Sequence, residues 1–392
     1  MDRPRYLTLN MGPQHPSTHG VLRVILELDG ERVVSAKPVL GYLHRGIEKL
    51  AESMTYHQFI PLTDRLDYTA CMSCNLGYTW AVERLLGIED RIPERAAVIR
   101  VIMAELSRIG AHLIWLGSHA GDIGAVTVFI YAFREREFIY ELFEAVCGQR
   151  MTVSYPRIGG LSADLPDGWV EKCREFCQVF ATKVDEYEKL LTKNRVWIGR
   201  TKGVGVLTAD DVFEWGVSGP MARGSGVGYD LRKVIPYGGY ETYDFDIPVG
   251  QNGDSYDRYL VRMYEMRQSL RLIEQGLARL PAGPVMADAP HFAPPPKAEI
   301  GVRIEALIHH FLLAAEGFDA PPGEIYAASE APKGELGFHL ISEGGHKPAR
   351  CAIRVPSFSN LQSLVKMAPG RFLADMVTLI GTIDICLADI DK

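Results

Sequence analysis

A chain of 392 residues exceeds what one compact core holds and is expected to divide into two or three closely packed subdomains. With 47% hydrophobic and 23% charged residues it has the composition of an ordinary globular protein, and a net charge of -7 argues against nucleic-acid binding, which needs a concentrated basic face. No apolar run approaches the roughly 18 residues of a membrane span, no signal-peptide core follows Met1, and seven cysteines, an odd number, suit reduced thiols better than a disulfide framework, so a soluble chain that meets a membrane only through partners is expected.

The first forty residues read as sheet: "YLTLNM", then "VLRVILEL", an Asp29-Gly30 turn and "RVVSAKPVL". From Gly41 the pattern turns helical. A helix is expected over 66–87, closed by Gly87, and a long buried one from Pro93 to Gly117. Another, "VFIYAFREREFIYELFEAVCG", stops at Gly148. From Asp167 to about Lys193, Trp169, Cys173, Phe176, Cys177, Phe180, Val184, Tyr187 and Leu191 fall at three- and four-residue steps and form one apolar stripe. Residues 255–280 repeat the pattern with Leu260, Met263, Met266, Leu270, Ile273 and Leu277, which makes a bundle of long helices. Between these two helices, Gly199 to Gly253 is glycine- and aromatic-rich without periodicity and reads as a functional or docking loop region. "PAGPVMADAPHFAPPPK" is a stiff connector. The tail is expected to hold a helix near "EIGVRIEALIHHFLLAAEG", a strand pair around "GELGFHLIS" and "ARCAIRVPSF", and a last short helix before "IGTIDICLADIDK".

Most motif-like features have an ordinary reading. Cys71 and Cys74 form a CxxC without the second pair that zinc needs, and they and Cys173/Cys177 read as core thiols. "GSGVG" (224–228) lacks the Walker lysine and a strand-to-helix setting. His309-His310 has no HExxH frame. "YAFRERE" places Arg134, Glu135, Arg136 and Glu137 inside an apolar helix, which suggests a buried or interfacial charge network rather than a solvated face. Asp122, between glycines at the gap between two helices, would act as a cap unless it faced a histidine, whose orientation and charge it would then support. "LNMGPQHPSTHGVLR" (9–23) spends His15 and His19 on a proline-stiffened turn with no cysteine or carboxylate to complete a metal site.

Taken together, "NMGPQHPSTHGVLR", "GYLHRGIEKL", "PLTDRLDY", "RVIMAELSRIGAHL", "DIGAVTVFIYAFRERE", "YPRIGGLSADLP", "GSGVGYDLRK", "EAPKGELGFHLIS" and "IRVPSFSNLQSL" resemble the D-subunit family of the proton-pumping NADH-quinone oxidoreductases, respiratory complex I. The resemblance runs in order from about Thr8 to Lys392. It implies an α+β, predominantly helical fold like that of the nickel-iron hydrogenase large subunit: a small N-terminal α/β part (1–65), a long-helix bundle with the 199–253 docking loops (66–280), and a small C-terminal β/α part (281–392). Hydrogenases hold their metal with two CxxC pairs. Here Asp67 stands where the first cysteine would fall, and "DICLAD" (384–389) keeps Cys386 alone, so nickel is not expected to be held.

By the same resemblance, a quinone headgroup takes the place of the lost metal. His19 and Tyr68 match the family's headgroup-binding pair, and Asp122 the acid that partners the histidine. The chemistry is coherent: two-electron reduction makes both quinone oxygens basic, and a phenol and an imidazole can supply one proton each. Electrons are expected from a 4Fe-4S cluster in the neighbouring B subunit, with Arg45 and Arg65 near that cluster. Thr152 stands where family members often carry a histidine bonded to it, and a hydroxyl cannot gain charge at neutral pH as that histidine can. The implied partners are the B, C, H and I subunits of the complex, and the implied place is the peripheral arm on the cytoplasmic face of the bacterial inner membrane. The alternatives are a working hydrogenase large subunit and a non-catalytic scaffold.

Overall fold

The computed structural model describes residues 6–14, 20–289 and 291–392. It is largely helical with small antiparallel sheets, an α+β arrangement. Strands β1 (Leu7–Met11), β2 (Arg23–Asp29) and β3 (Arg32–Val39) form a meander in which Met11 faces Val24 and Asp29 faces Arg32 across the expected Gly30 turn. Val24, Leu26 and Leu28 alternate inward and pack, with Val33, on Leu364, Met367, Met376 and Leu379 from the far end of the chain. The first and last segments of the protein therefore share one core.

Helices α1 (Ile47–Ala51) and α2 (Tyr56–Thr63) lead to α3 (Cys71–Leu86). The helix expected over 66–87 thus begins only at Cys71. The reason is local: the Asp67 carboxylate accepts from the Thr69 backbone N–H (3.1 Å) and hydroxyl (2.6 Å), which holds a turn in place of a helical start. Helix α4 (Glu94–Asp122) runs past its expected end at Gly117, and Asp122 is its last residue rather than a linker between helices. A methyl group on Gly117 would lie 3.3 Å from the Phe129 Cα, so this glycine serves the close approach of α5 (Val126–Cys147) and not helix termination.

After the short strands β4 (Pro156–Arg157) and β5 (Gly160–Leu161), α6 (Trp169–Leu191) buries the anticipated stripe residue for residue. The segment read as an aperiodic loop instead forms α7 (Arg195–Thr201), α8 (Ala209–Trp215), α9 (Pro220–Gly224) and α10 (Leu231–Val234) before α11 (Ser255–Ala278). Helices of one or two turns leave no period to detect. Beyond them come α12 (Lys297–Ile300), α13 (Ile304–Ala315), a second meander of β6 (Gly323–Ala331), β7 (Gly334–Ser342) and β8 (Arg350–Arg354), then α14 (Pro356–Gln362), α15 (Leu364–Met367), α16 (Asp375–Ile383) and α17 (Leu387–Ile390). Strand β6 escaped the sequence reading because its "GEIYAASEA" mixes alanines and glutamates that have weak strand preference.

Helices α4, α5, α6 and α11 share one core through residues such as Leu106, Leu142, Phe180 and Met266. Helix α3 lies under the second meander, where Gly77 admits Ser329 and Phe338. A buried ionic network runs between the two. Arg223 on α9 pairs with Glu265 of α11 (2.7 Å) and Glu330 of β6 (2.8 Å); Arg232 pairs with Asp230 (2.6 Å) and Glu105 (3.1 Å); His112 meets Glu265 at 2.8 Å. Burial alone would push the carboxyls up, but the arginines more than offset it and hold Glu105 and Glu265 at about 2.

Removing one member leaves the others charged and dry. Arg223→Met is expected to cost ~3–5 kcal/mol, read as a lowered urea midpoint of the purified chain; an unchanged midpoint would show that the network contributes nothing.

Candidate functional site

A cavity of about 310 Å³ opens where the 66–70 segment, α4, α5, the β6–β7 turn and the C-terminal segment converge, lined by Tyr68, Thr69, Ile114, Ser118, Phe133, Arg136, Met151, Lys333, Asp384, Ile385 and Cys386. Its polar wall is organised by one lysine. Pro332 and Lys333 form the two-residue turn between β6 and β7, and Lys333 is turned inward, only 2% exposed. Its ammonium donates to Asp67 (2.8 Å) and to the Thr69 hydroxyl (2.7 Å), with Asp384 at 3.8 Å. Burial disfavours the charge, but Asp384 and Asp67 outweigh it and hold the ammonium above its usual range.

The turn is fixed from behind. The Asn360 amide donates to the Lys333 carbonyl (3.2 Å), and Gly219, at φ +69°, passes so close that a Cβ there would lie 2.4 Å from that same oxygen. Asp384, which faces the lysine, sits in the left-handed region at φ +61°, unusual for a residue with a side chain and tolerated by aspartate.

Tyr68 projects its phenol into the cavity and stays 45% exposed. The adjoining Cys386, then burial and Asp67, keep its pKa above the ordinary value, while Lys333 acts the other way. Three thiols ring the 64–68 backbone. Cys71 donates to the Asp64 and Tyr68 carbonyls (3.3 Å each), Cys74 to the Asp67 carbonyl (3.9 Å) and Cys386 to the Leu66 carbonyl (3.7 Å). Burial pushes all three well up, so they are protonated thiols at neutral pH. Among the described residues, no group of three or more His, Cys, Asp or Glu is arranged to hold a metal ion.

The other expected site residues fall as follows. Arg45 lies against the same segment: its Nη2 donates to the Arg65 carbonyl (2.9 Å) and to the Ala388 carbonyl (2.6 Å), which ties the 65–68 backbone to the C-terminus. The Arg65 guanidinium turns outward and bonds the Pro61 carbonyl (2.5 Å). Asp122 ends α4 four residues past the cavity-lining Ser118, one helical turn or about 6 Å further along. Thr152 adjoins Met151 of the cavity wall. His19 lies outside the described residues.

Residues 122–392 match the family of the 49 kDa subunit of respiratory-chain NADH dehydrogenase. The NADH-quinone oxidoreductase D subunit of Citrifermentans bemidjiense is 58% identical over 98% of this chain and 99% of its own length, and that of Geobacter sulfurreducens 58% over 98% of each. The second D subunit of the NADH-quinone oxidoreductase of Chloroflexus aurantiacus is 53% identical over 100% of this chain and 95% of its own. This chain belongs to the D-subunit family.

For a member of that family, the tertiary structure adds Lys333, Arg136, Ile114, Ser118, Phe133 and Met151 to the wall. Lys333 had one sequence signal, a lysine on a two-residue turn inside the quoted "EAPKGELGFHLIS". Arg136 had another, the charged run inside an apolar helix, whereas Ile114, Ser118 and Phe133 had none, because their place on the wall depends on how α4 and α5 face each other.

Behind the wall, Asp389 is 1% exposed, and neither carboxylate oxygen has a well-formed hydrogen bond among the described residues. Burial, then the nearby Asp67, pushes it up to about 7 from an ordinary 3.8, with the Ser357 hydroxyl, Lys333 and Lys392 opposing. The folded carboxyl thus holds its proton more tightly than the unfolded chain, and its contribution to stability, present below about pH 4, is lost as pH rises through about 7. Asp389→Asn, which mimics the protonated form, is expected to be more stable than wild type at pH 8, by ~1–4 kcal/mol, and to lose the advantage near pH 4. Urea midpoints measured from pH 4 to 9 check this; a difference that does not grow with pH would contradict it.

Proposed function

We propose that this chain forms, together with the iron-sulfur B subunit, the quinone-binding and reduction site of a proton-translocating NADH-quinone oxidoreductase. The observation that carries the reading is the Tyr68 phenol at a cavity that it shares with the charge-compensated Lys333 and with the apolar side chains of Ile114, Phe133, Met151 and Ile385. A flat, neutral headgroup suits such a chamber.

The groups present suit the reaction. Quinone plus two electrons and two protons gives quinol. A phenol held above its ordinary pKa is a poor acid towards a neutral carbonyl and a competent one towards the oxyanion left by two electrons, so Tyr68 gives up its proton only when the ring is reduced. The tyrosinate that remains is favoured by the Lys333 ammonium. His19 is assigned the second oxygen on the family resemblance, with Asp122 behind it on α4. Arg45 and Arg65 are assigned to the face towards the iron-sulfur partner, where their charge would favour the reduced 4Fe-4S cluster that supplies the electrons. No described helix is long and apolar enough to cross a membrane, and attachment to it is assigned to the partners, the B, C, H and I subunits.

A nickel-iron centre is a poorer fit. It needs four thiolates, and of the hydrogenase pattern only Cys386 remains, its thiol pushed up by burial, with Asp67 where the first cysteine would fall.

Tyr68→Phe keeps the ring and removes the donor. In the intact complex, NADH-driven quinone reduction is expected to fall about 100-fold, with assembly and NADH oxidation by an artificial acceptor unchanged; wild-type quinone turnover in an assembled variant would refute the assignment.

A further inference from the structure

The alternating charges of α5 do not form one network. Glu135 pairs with Arg134 at 2.5 Å, and Glu137 pairs with Arg150 at 2.5 Å. Arg136 lies between them, yet neither glutamate takes its charge. It is 7% exposed, its Nε has no hydrogen-bond partner among the described residues, and its guanidinium is stacked on the Tyr140 ring, 4.1 Å from the centroid, with Phe133 at 5.7 Å. Burial lowers its pKa to about 10, with Cys71 and Glu137 opposing, so it remains a cation at neutral pH.

This cation lines the same cavity as Tyr68 and Lys333. The two basic groups differ in one respect. Lys333 is already ion-paired with Asp67 and approached by Asp384, whereas among the described residues the Arg136 guanidinium forms no ion pair, and aromatic faces with the more distant Glu137 and Asp67 give it only partial relief. A buried guanidinium without an ion pair among the described residues, at the edge of a chamber, is poised to receive an anion. Its planar fork presents several donors, and it cannot lose its proton under these conditions.

The occupant argued for above is neutral on arrival and anionic after electron transfer. We propose that Arg136 is the anion-stabilising group of this site, its guanidinium receiving the oxyanion of the reduced quinone headgroup before protons arrive. This rests on the quinone reading of the cavity. Arg136 transfers no proton; two electrons originating in NADH reduce the ring, two protons complete the quinol, and the guanidinium lowers the energy of the charged species in between. Because the interaction exists only when charge is present, it acts on turnover more than on binding of the oxidised substrate.

The test uses the assembled complex carrying Arg136→Gln, which keeps donors without charge, Arg136→Lys, which keeps charge, and Tyr68→Phe in parallel. With a short-chain quinone, Arg136→Gln is expected to lower kcat at least about tenfold while KM stays within about threefold, and Arg136→Lys to recover most of the loss. The midpoint potential of the partner's cluster is expected not to move. Wild-type kcat in Arg136→Gln, equal loss in Arg136→Lys and Arg136→Gln, or a shifted cluster potential would each overturn the proposal, the last by assigning the charge to the cluster. If Tyr68→Phe turns over normally, the quinone reading itself fails; if it is slow while Arg136→Gln is fast, only the role of Arg136 falls.

Discussion

The ammonium of Lys333 joins three segments that are distant in the chain: the β6–β7 turn that carries it, the 66–70 backbone through Asp67 and Thr69, and the C-terminal segment through Asp384. A lysine at the tip of a two-residue hairpin would ordinarily reach into water. Here the hairpin is pressed against Gly219 and Asn360, and the side chain is sealed inside, where its charge must be matched. That requirement places Asp67 and Asp384 on either side of it, and Tyr68, the residue after Asp67, is thereby delivered to the cavity. Loss of the lysine would leave two buried carboxylates facing each other across the site.

The same principle operates at larger scale in the interior. The Arg223–Glu265–Glu330 and Arg232–Asp230–Glu105 pairs knit α4, α9, α10, α11 and β6, elements whose apolar contacts alone would permit several relative placements. Arg262 lies between this network and the cavity: its Nη2 donates to the Thr382 carbonyl (3.1 Å), it covers the Trp115 ring at 4.1 Å, and both Glu265 and Asp384 act on it. The polar wall of the cavity is thus backed by buried charges, while Ile114 of α4 and Phe133 of α5 supply apolar surface beside Arg136.

What was legible in the residues followed from local physics. The three N-terminal strands with their Asp29-Gly30 turn, the terminations at Gly87 and Gly148, and the eight-residue stripe of α6 each depend on periodicity or on a single backbone preference, and each is found where the pattern put it. Gly117 misled because a glycine that admits a neighbouring helix and a glycine that ends its own helix look the same in one dimension. Strand β6 and the short helices of 199–253 carry no period long enough to register. Tyr68, Arg45 and Arg65 were singled out only through the family resemblance, and Asp122 and His19, though noticed for their settings in the chain, were given definite roles only through it, since a lone phenol or carboxylate has no distinguishing spacing.

By itself, then, the sequence determined the kinds of element, the apolar faces and the family, because these depend on residues near one another in the chain or on the order of many motifs. Tertiary structure alone decided that Lys333 is buried and compensated, that Arg136 is buried without an ion pair among the described residues while its neighbours Arg134 and Glu137 find partners, and that Asp389 sits dry beside Asp67. The physical reason is the same in each case: the state of a charge is set by what surrounds it in space, and those surroundings are assembled from segments up to three hundred residues apart.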